Sequence, residues 1–181
     1  MRMIEKGDYP MNFLELAKER FSVRSFKKDP IEAEKLNLIL EAGRVAPTAC
    51  NKQPQKIYVI QSEEMRAKLA TVCKFTFDAP VVLAICYDQD KAWKNDLTPG
   101  YCSGETDAAI VCTHMMFEAW ELGIGSCWVA WFNAEEVHKA LGLPENVALC
   151  GLLPIGYPAE DAAPTKLHSR IREFNDTIQF M

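Results

Sequence analysis

Hydrophobic positions along this chain follow two periods, one near 3.6 and one of 2, and the switches between them mark out its elements. Asn12 can cap a first helix with Glu15 in the reciprocal position, and Phe13, Leu16, Ala17 and Arg20 fall on one stripe. RFSVRSF (20–26) then alternates. In an extended chain Arg20, Ser22 and Arg24 share one side while Phe21 and Val23 pack inward from the other. A second helix fits 31–43, with Leu36, Ile39 and Leu40 on its buried face and Gly43 placed to end it. RVAPTACNKQPQ (44–55) is a polar loop with two prolines, KIYVI (56–60) reads as a strand, and Ser62 with Glu63 and Glu64 caps a short helix. PVVLAICY (80–87) is apolar without a break, which predicts a central strand buried on both faces.

Residues 88–103 read as a long loop or a short helical lid. With Trp93 and Tyr101 they are the candidate substrate gate, and they match no motif. From Glu105 to Leu122 the chain is apolar almost all round, the pattern of a helix in the middle of a core or in a subunit interface. GIGSCWVAWF (123–132) predicts a glycine turn leading into a strand. Asn133 and Glu136 form another capping box on a helix that stops at Gly142 and Pro144, and VALCGLLPIGYP (147–158) is the last core strand. The tail 159–181 is polar until Phe174, Ile178, Phe180 and Met181, which need somewhere to dock. There is no repeat, low-complexity segment or second-domain boundary, so 1–181 is expected to form a single domain.

Composition narrows the function classes. At 181 residues, 49% hydrophobic and 25% charged, the chain belongs with soluble globular proteins, and a net charge of -5 argues against a general nucleic-acid binder. The seven cysteines (50, 73, 86, 102, 112, 127, 150) form no C-x-x-C pair, hence neither a disulfide framework nor a zinc site, and reduced thiols fit a cytoplasmic protein. MRMIEKGDYP has no signal-peptide core and no apolar stretch is long enough to span a bilayer, so no membrane partner is expected. His114, His138 and His168 lie in no metal-binding spacing; His114, four residues from Glu118, reads as a core histidine. There is no P-loop, G-x-S-x-G or H-E-x-x-H. Gly123, Gly125 and Trp128 lack the third glycine of a dinucleotide fingerprint and precede a strand instead of following one, which excludes a Rossmann site.

Two segments carry candidate chemistry. Two guanidiniums and a hydroxyl on one face suit a doubly charged phosphate, although Lys27 and Lys28 extend the run and a solvated charged edge has the same spacing. In the loop Pro47–Pro54, Asn51 and Gln53 each offer a donor and an acceptor to a planar heterocycle, and Thr48 with the small Ala49 lets backbone come close; a plain connecting loop has the same composition.

Taken in order, the segments resemble the FMN-dependent nitroreductase family. R-F-S-V-R-S-F resembles its R-x-S-x-R phosphate clamp, A-P-T-A-C-N-K-Q-P its A-P-S-x-x-N-x-Q-P loop before a strand, L-G-I-G-S-C-W-V the strand after its long central helix, and H-S-R (168–170) its basic tail signature. The matches span residues 13–172. The resemblance implies an α+β fold, a mostly antiparallel sheet flanked by helices, in an intertwined homodimer with FMN at the interface and the tail 159–181 docked on the core or the partner. It implies that Arg20, Ser22 and Arg24, joined by Arg170 and His168, hold the phosphate and ribityl oxygens. Pro47, Thr48, Ala49, Asn51 and Gln53 would reach the same flavin from the partner, and backbone at Trp128, Val129, Ala130 and Trp131 would face the ring. His168 stands where the family carries lysine, the tail lacks its proline, and Ala130 and Trp131 stand where many relatives have glycine. The implied activity passes hydride from NADH or NADPH through FMN to nitroaromatics, quinones or another electron-poor small molecule by a ping-pong mechanism. An FMN-binding store or sensor without efficient turnover is the alternative.

Overall fold

The unbroken apolar run forms the middle of the protein. In the computed structural model, which describes residues 12–181, the elements in chain order are α1 (Phe13–Glu19), α2 (Ala33–Arg44), β1 (Gln55–Ile60), α3 (Glu63–Val72), β2 (Val81–Asp88), α4 (Gly104–Glu121), β3 (Gly125–Ser126), α5 (Ala134–Leu141), β4 (Val147–Gly156) and α6 (Phe174–Thr177). The leaderless reading of residues 1–10 lies outside the described residues. The strands make one antiparallel sheet in the order β1-β2-β4-β3, the α+β arrangement expected. Along β2, Val81, Leu83 and Ile85 face a core shared with α2 and α4, while Val82, Ala84 and Cys86 face one shared with α3 and α5. None of the six is more than 3% exposed. A strand buried on both faces has no place for a polar alternate, which is why periodicity vanishes there.

The helix starts follow their caps. Asn12 Oδ1 accepts the Glu15 N–H at 3.1 Å while Glu15 Oε2 accepts the Asn12 N–H at 3.5 Å, and Ser62 Oγ accepts the Met65 N–H at 3.3 Å. Asn133 Oδ1 caps α5 through the Glu135 and Glu136 N–H groups, but Glu136 is met by the side-chain amide of Asn133 rather than its backbone, so the reciprocal half of that box is absent.

Several expectations need correction. Gly43 does not end α2, which runs on through Arg44. It is buried instead against α4, where a Cβ would fall 2.8 Å from Met115 Cγ, so its smallness serves helix contact. His114 is not a core histidine: its ring lies on the outer face of α4, with Nδ1 2.9 Å from the Ile110 carbonyl one turn back. On its own chain the helix buries Ala108, Val111, Cys112, Met115 and Ala119 on one side and leaves Ala109, Thr113 and His114 exposed on the other, so it is not in the middle of this chain's core. The strand expected over 123–132 is only two residues long, because from Cys127 onward the chain leaves the ladder except for one bridge, Val129 to Leu152. Residues 88–103 hold no helix; they turn back on themselves through a Lys94–Cys102 bridge. The apolar tail end stays exposed on its own chain, with Phe174 and Phe180 stacked on each other at 6.2 Å. All seven cysteines are free, and no helix among the described residues is long and apolar enough to cross a membrane.

Candidate functional site

The segment 20–26 lies along β3. Val23 donates its N–H to Ser126 O at 2.9 Å, and Ser22 forms a parallel bridge to Ser126. The approach needs Gly125, where a Cβ would sit 2.6 Å from Val23 Cγ2. Val23 is fully buried and Phe21 packs edge-on against Trp120 at 5.2 Å. The alternation read from the sequence therefore holds for Val23 but not for Phe21, which is half-buried and borders the same cleft as the arginines. Arg20, Ser22 and Arg24 line a cleft of about 260 Å³ with Phe21, Thr165, Leu167 and His168.

The tail reaches that cleft by way of the same segment. Ala159 donates its N–H to Ser25 O, Ser25 Oγ donates to Asp161 Oδ1 at 3.0 Å, and His168 Nε2 lies 3.2 Å from the Lys18 carbonyl. His168 thus joins the clamp, whereas Arg170, two residues on, is exposed and is not among the lining residues. Arg20 Nη1 is buried without a hydrogen-bond partner. Among the described residues no carboxylate forms a salt bridge with Arg20 or Arg24. Burial pushes the Arg20 guanidinium below its ordinary pKa, and Cys127 nearby restores only part of the shift. A half-buried cation with no carboxylate partner among the described residues makes this cleft fit for an anion.

Arg24 also borders a second cleft of about 330 Å³, lined by Phe75, Phe77, Cys127, Trp128, Val129, Ala130 and Trp131. All four residues expected at 128–131 thus adjoin the clamp. Val129 exchanges both backbone hydrogen bonds with Leu152, at 2.8 and 2.9 Å, which fixes the floor. Trp131 is 79% exposed and stacks on Phe75 with ring centroids 5.0 Å apart and planes 14° from parallel. Burial pushes the Cys127 thiol pKa up, and Arg24, Ser22 and Arg20 pull it back in part. Cationic and apolar walls side by side suit a planar ring carrying an anionic tail. Three larger cavities, one walled by Lys28, Arg66 and Asp78, one by Phe13, Phe117 and His114, and one by Gln89, His138 and Leu149, contain none of these residues.

Pro47, Thr48, Ala49, Asn51 and Gln53 are elsewhere. Their loop leads into β1, at the opposite sheet edge from β3. It is anchored at the start of α4, where the Ala49 N–H donates to Asp107 Oδ1 at 2.9 Å. The Gln53 N–H donates to Thr48 Oγ1 at 3.0 Å, and Cys50, Asn51 and Gln53 are left-handed, with φ of 50°, 52° and 48°. Gly125 follows the other end of α4, and the 18 residues between span about 27 Å at 1.5 Å per residue. One chain therefore does not bring the clamp and the loop together. The sequence reading missed Phe75, Phe77, Ser103 and Asp107. An alternating K-F-T-F and a first-turn aspartate are common features of strands and helix starts, so neither stood out.

Fold and clefts together define a small α+β protein with an anion clamp beside an aromatic-walled pocket. The nitroreductase family model matches residues 17–74 and 72–157, and the chain belongs to that family. A crystal structure of a nitroreductase family protein from Clostridium difficile 630 is 35% identical, with a TM-score of 0.87 over 94% of this chain and 98% of that one. The NADH dehydrogenase of Thermus thermophilus is 29% identical, covering 82% of this chain and 88% of the relative. The FMN reductase [NAD(P)H] of Bacillus subtilis is 30% identical, covering 78% of this chain and 64% of the relative.

Proposed function

We propose that this chain is an NAD(P)H-dependent FMN oxidoreductase, one flavin-binding domain per chain, working as a homodimer on nitroaromatics, quinones or similar electron-poor acceptors. The observation that carries this reading is Arg20: a buried guanidinium nitrogen with no partner, in a cleft that Arg24 joins to an aromatic-walled one. Names such as FMN reductase among the relatives support it. FMN, when bound, supplies the hydride chemistry, with NAD(P)H and the acceptor taking turns in ping-pong order.

The chain's own residues bind, orient and exclude water. Arg20, Ser22 and Arg24 hold the phosphate and ribityl oxygens, His168 closes the cleft from the tail, and Arg170 adds long-range positive charge. Backbone at Trp128, Val129, Ala130 and Trp131 meets the ring, with Val129 held rigid by its pair of bonds to Leu152. Pro47, Thr48, Ala49, Asn51 and Gln53 serve the partner's flavin, since a helix of about 27 Å separates them from their own clamp. The exposed Phe13, Leu14 and Val45, with Phe174, Ile178 and Phe180 of the tail, supply the apolar surface such a dimer buries. With free thiols and a net charge of -5, the enzyme works in the reducing cytoplasm without nucleic-acid or membrane partners.

Colour tests the reading. Purified protein incubated with FMN and desalted should be yellow, bleach with NADH or NADPH, and recolour on adding a quinone or nitroaromatic. Protein that retains no FMN overturns the proposal; yellow protein that neither nucleotide bleaches is a flavin store.

A further inference from the structure

Helix α4 begins with a serine that does not cap it. Ser103 occupies the N-cap position, but its backbone is already helical (φ -77°, ψ -8°) and its hydroxyl accepts nothing from the first turn. That hydroxyl donates instead to Asp107 Oδ2 at 2.7 Å, while the Asp107 N–H donates to Ser103 O at 2.8 Å. The other carboxylate oxygen, Oδ1, accepts the Ala49 N–H. Ser103 and Asp107 are each 2% exposed, and among the described residues no lysine or arginine forms a salt bridge with this carboxylate. A negative group complementing the helix dipole could sit in water, as Glu105 does. Burying Asp107 is costly and calls for another reason.

The reason lies in what its two oxygens connect. Ala49 opens the turn whose Cys50, Asn51 and Gln53 are left-handed, a conformation that L-residues avoid unless their surroundings hold them. Ser103 closes the segment 89–103, where its N–H donates to Trp93 O at 2.9 Å, Lys94 bridges Cys102, and the Trp93 and Tyr101 rings meet edge to face at 6.2 Å. Leu97, near the tip of that segment, is 94% exposed.

We infer that Asp107 is a positioning residue that anchors two segments at once: Oδ1 keeps the 47–53 loop in its left-handed shape, and Oδ2 holds the end of the 89–103 segment through Ser103. Both of its carboxylate oxygens are engaged within the chain, by Ala49 and Ser103. It acts by holding Ala49 and Asn51 in a binding-ready form, which lowers the ordering cost of binding. What the loop binds rests on the FMN reading above; the anchoring does not.

Hydrogen–deuterium exchange on the flavin-free protein, followed by FMN titration, tests this. Asp107→Ala should speed exchange about 10-fold or more in both 47–53 and 89–103, leave β2 and β4 protected, and weaken FMN binding by roughly 10- to 100-fold, the scale of one lost hydrogen bond to a charged group. Ser103→Ala should loosen 89–103 and leave 47–53 within about twofold, because Oδ1 keeps its partner. Asp107→Asn retains a carbonyl oxygen for Ala49 and should restore protection of the loop. Unchanged exchange in 47–53 for Asp107→Ala overturns the inference. So does exchange that rises equally across β2 and β4, which makes the residue a general stabiliser of the fold. If Asp107→Ala does not fold, the other two variants decide: a Ser103→Ala protein that opens neither segment, or opens both alike, overturns the assignment of one carboxylate oxygen to each segment. If the wild-type protein takes up no FMN, the functional reading fails while the exchange pattern still settles the anchoring.

Discussion

At the Gly125 end of α4 the backbone is ordinary and the charge is unusual, while at the Ser103 end the charge is satisfied and the backbone is unusual. Segment 20–26 runs as an edge beside β3 with Val23 fully buried, and upon it stands a guanidinium nitrogen with no partner. The loop 47–53 has its carboxylate anchor fully bonded but holds three left-handed residues within four positions. One end stores electrostatic cost on a stiff support; the other stores conformational cost on a bonded one. A site assembled from both can recognise an anion by charge and a flat ring by backbone shape, which neither end does alone.

The largest test of that contrast is Arg20→Ala. It should weaken FMN binding by about 10- to 150-fold, equivalent to roughly 1.5–3 kcal/mol, without lowering the melting temperature of the flavin-free protein, because a half-buried cation with no ion-pair partner among the described residues adds little to folding stability. A melting temperature that falls with Arg20→Ala would make the residue a structural ion and erase the contrast. Arg24→Ala, measured by the same titration, should lose affinity on the same scale.

Mixing the two ends comes next. Arg20→Ala and Asn51→Ala homodimers are first assayed at an FMN concentration low enough that neither turns over. Refolded together in equal amounts, about half the dimers are mixed and each has one intact site of two, so roughly a quarter of wild-type activity returns. No recovery, with mixed dimers shown by mass, would put both residues in one protomer's site.

A pair of glycine substitutions is expected to have smaller effects. Gly125→Ala should destabilise by about 1–3 kcal/mol in urea unfolding, because the branched Val23 has no rotamer in which to withdraw. Gly43→Ala meets Met115 Cγ and Sδ at 2.8 and 2.9 Å and Val111 Cγ1 at 3.3 Å, but the unbranched Met115 can shift and helix propensity is gained, so the net loss should be smaller than at Gly125, about 1 kcal/mol. Equal losses would mean that the clamp's support is no stiffer than an ordinary helix contact. The smallest effect is chemical: iodoacetamide on the native protein should label exposed Cys50 first, while Cys127, buried and with its thiol pKa raised, reacts only on unfolding. Peptide mass mapping reads the order.

What the sequence disclosed was whatever one stretch of chain decides by itself. The run at 80–87 needed no partner to read as a two-faced strand, Asn12 and Ser62 cap their own first turns, and Arg20, Ser22 and Arg24 share a cleft opposite Val23 because extended backbone sorts side chains without help, although Phe21 borders that cleft too. Failures came where a second segment decides. Gly43 looks like a helix end until Met115 is known to lie across it, and His114 looks buried until α4 proves two-sided. The strand after Gly125 is cut short where the chain leaves the β4 ladder, and Asp107 could not be singled out without knowing that Ala49, 58 residues away, donates to it. His168 was legible through its place beside Arg170, yet only the chain's return across Lys18 separates the lining residue from the exposed one.

Helix α4 also acts as a ruler. Each residue added to or removed from its 18 would shift one end by about 1.5 Å and swing it by about 100° relative to the other. Its length therefore cannot drift in small steps without misaligning both half-sites of the proposed dimer at once. The segment 89–103 enters the same helix from one end only and carries no such metric duty. Length variation among descendants of this protein should gather there, in the one connection whose far end no helix has to measure.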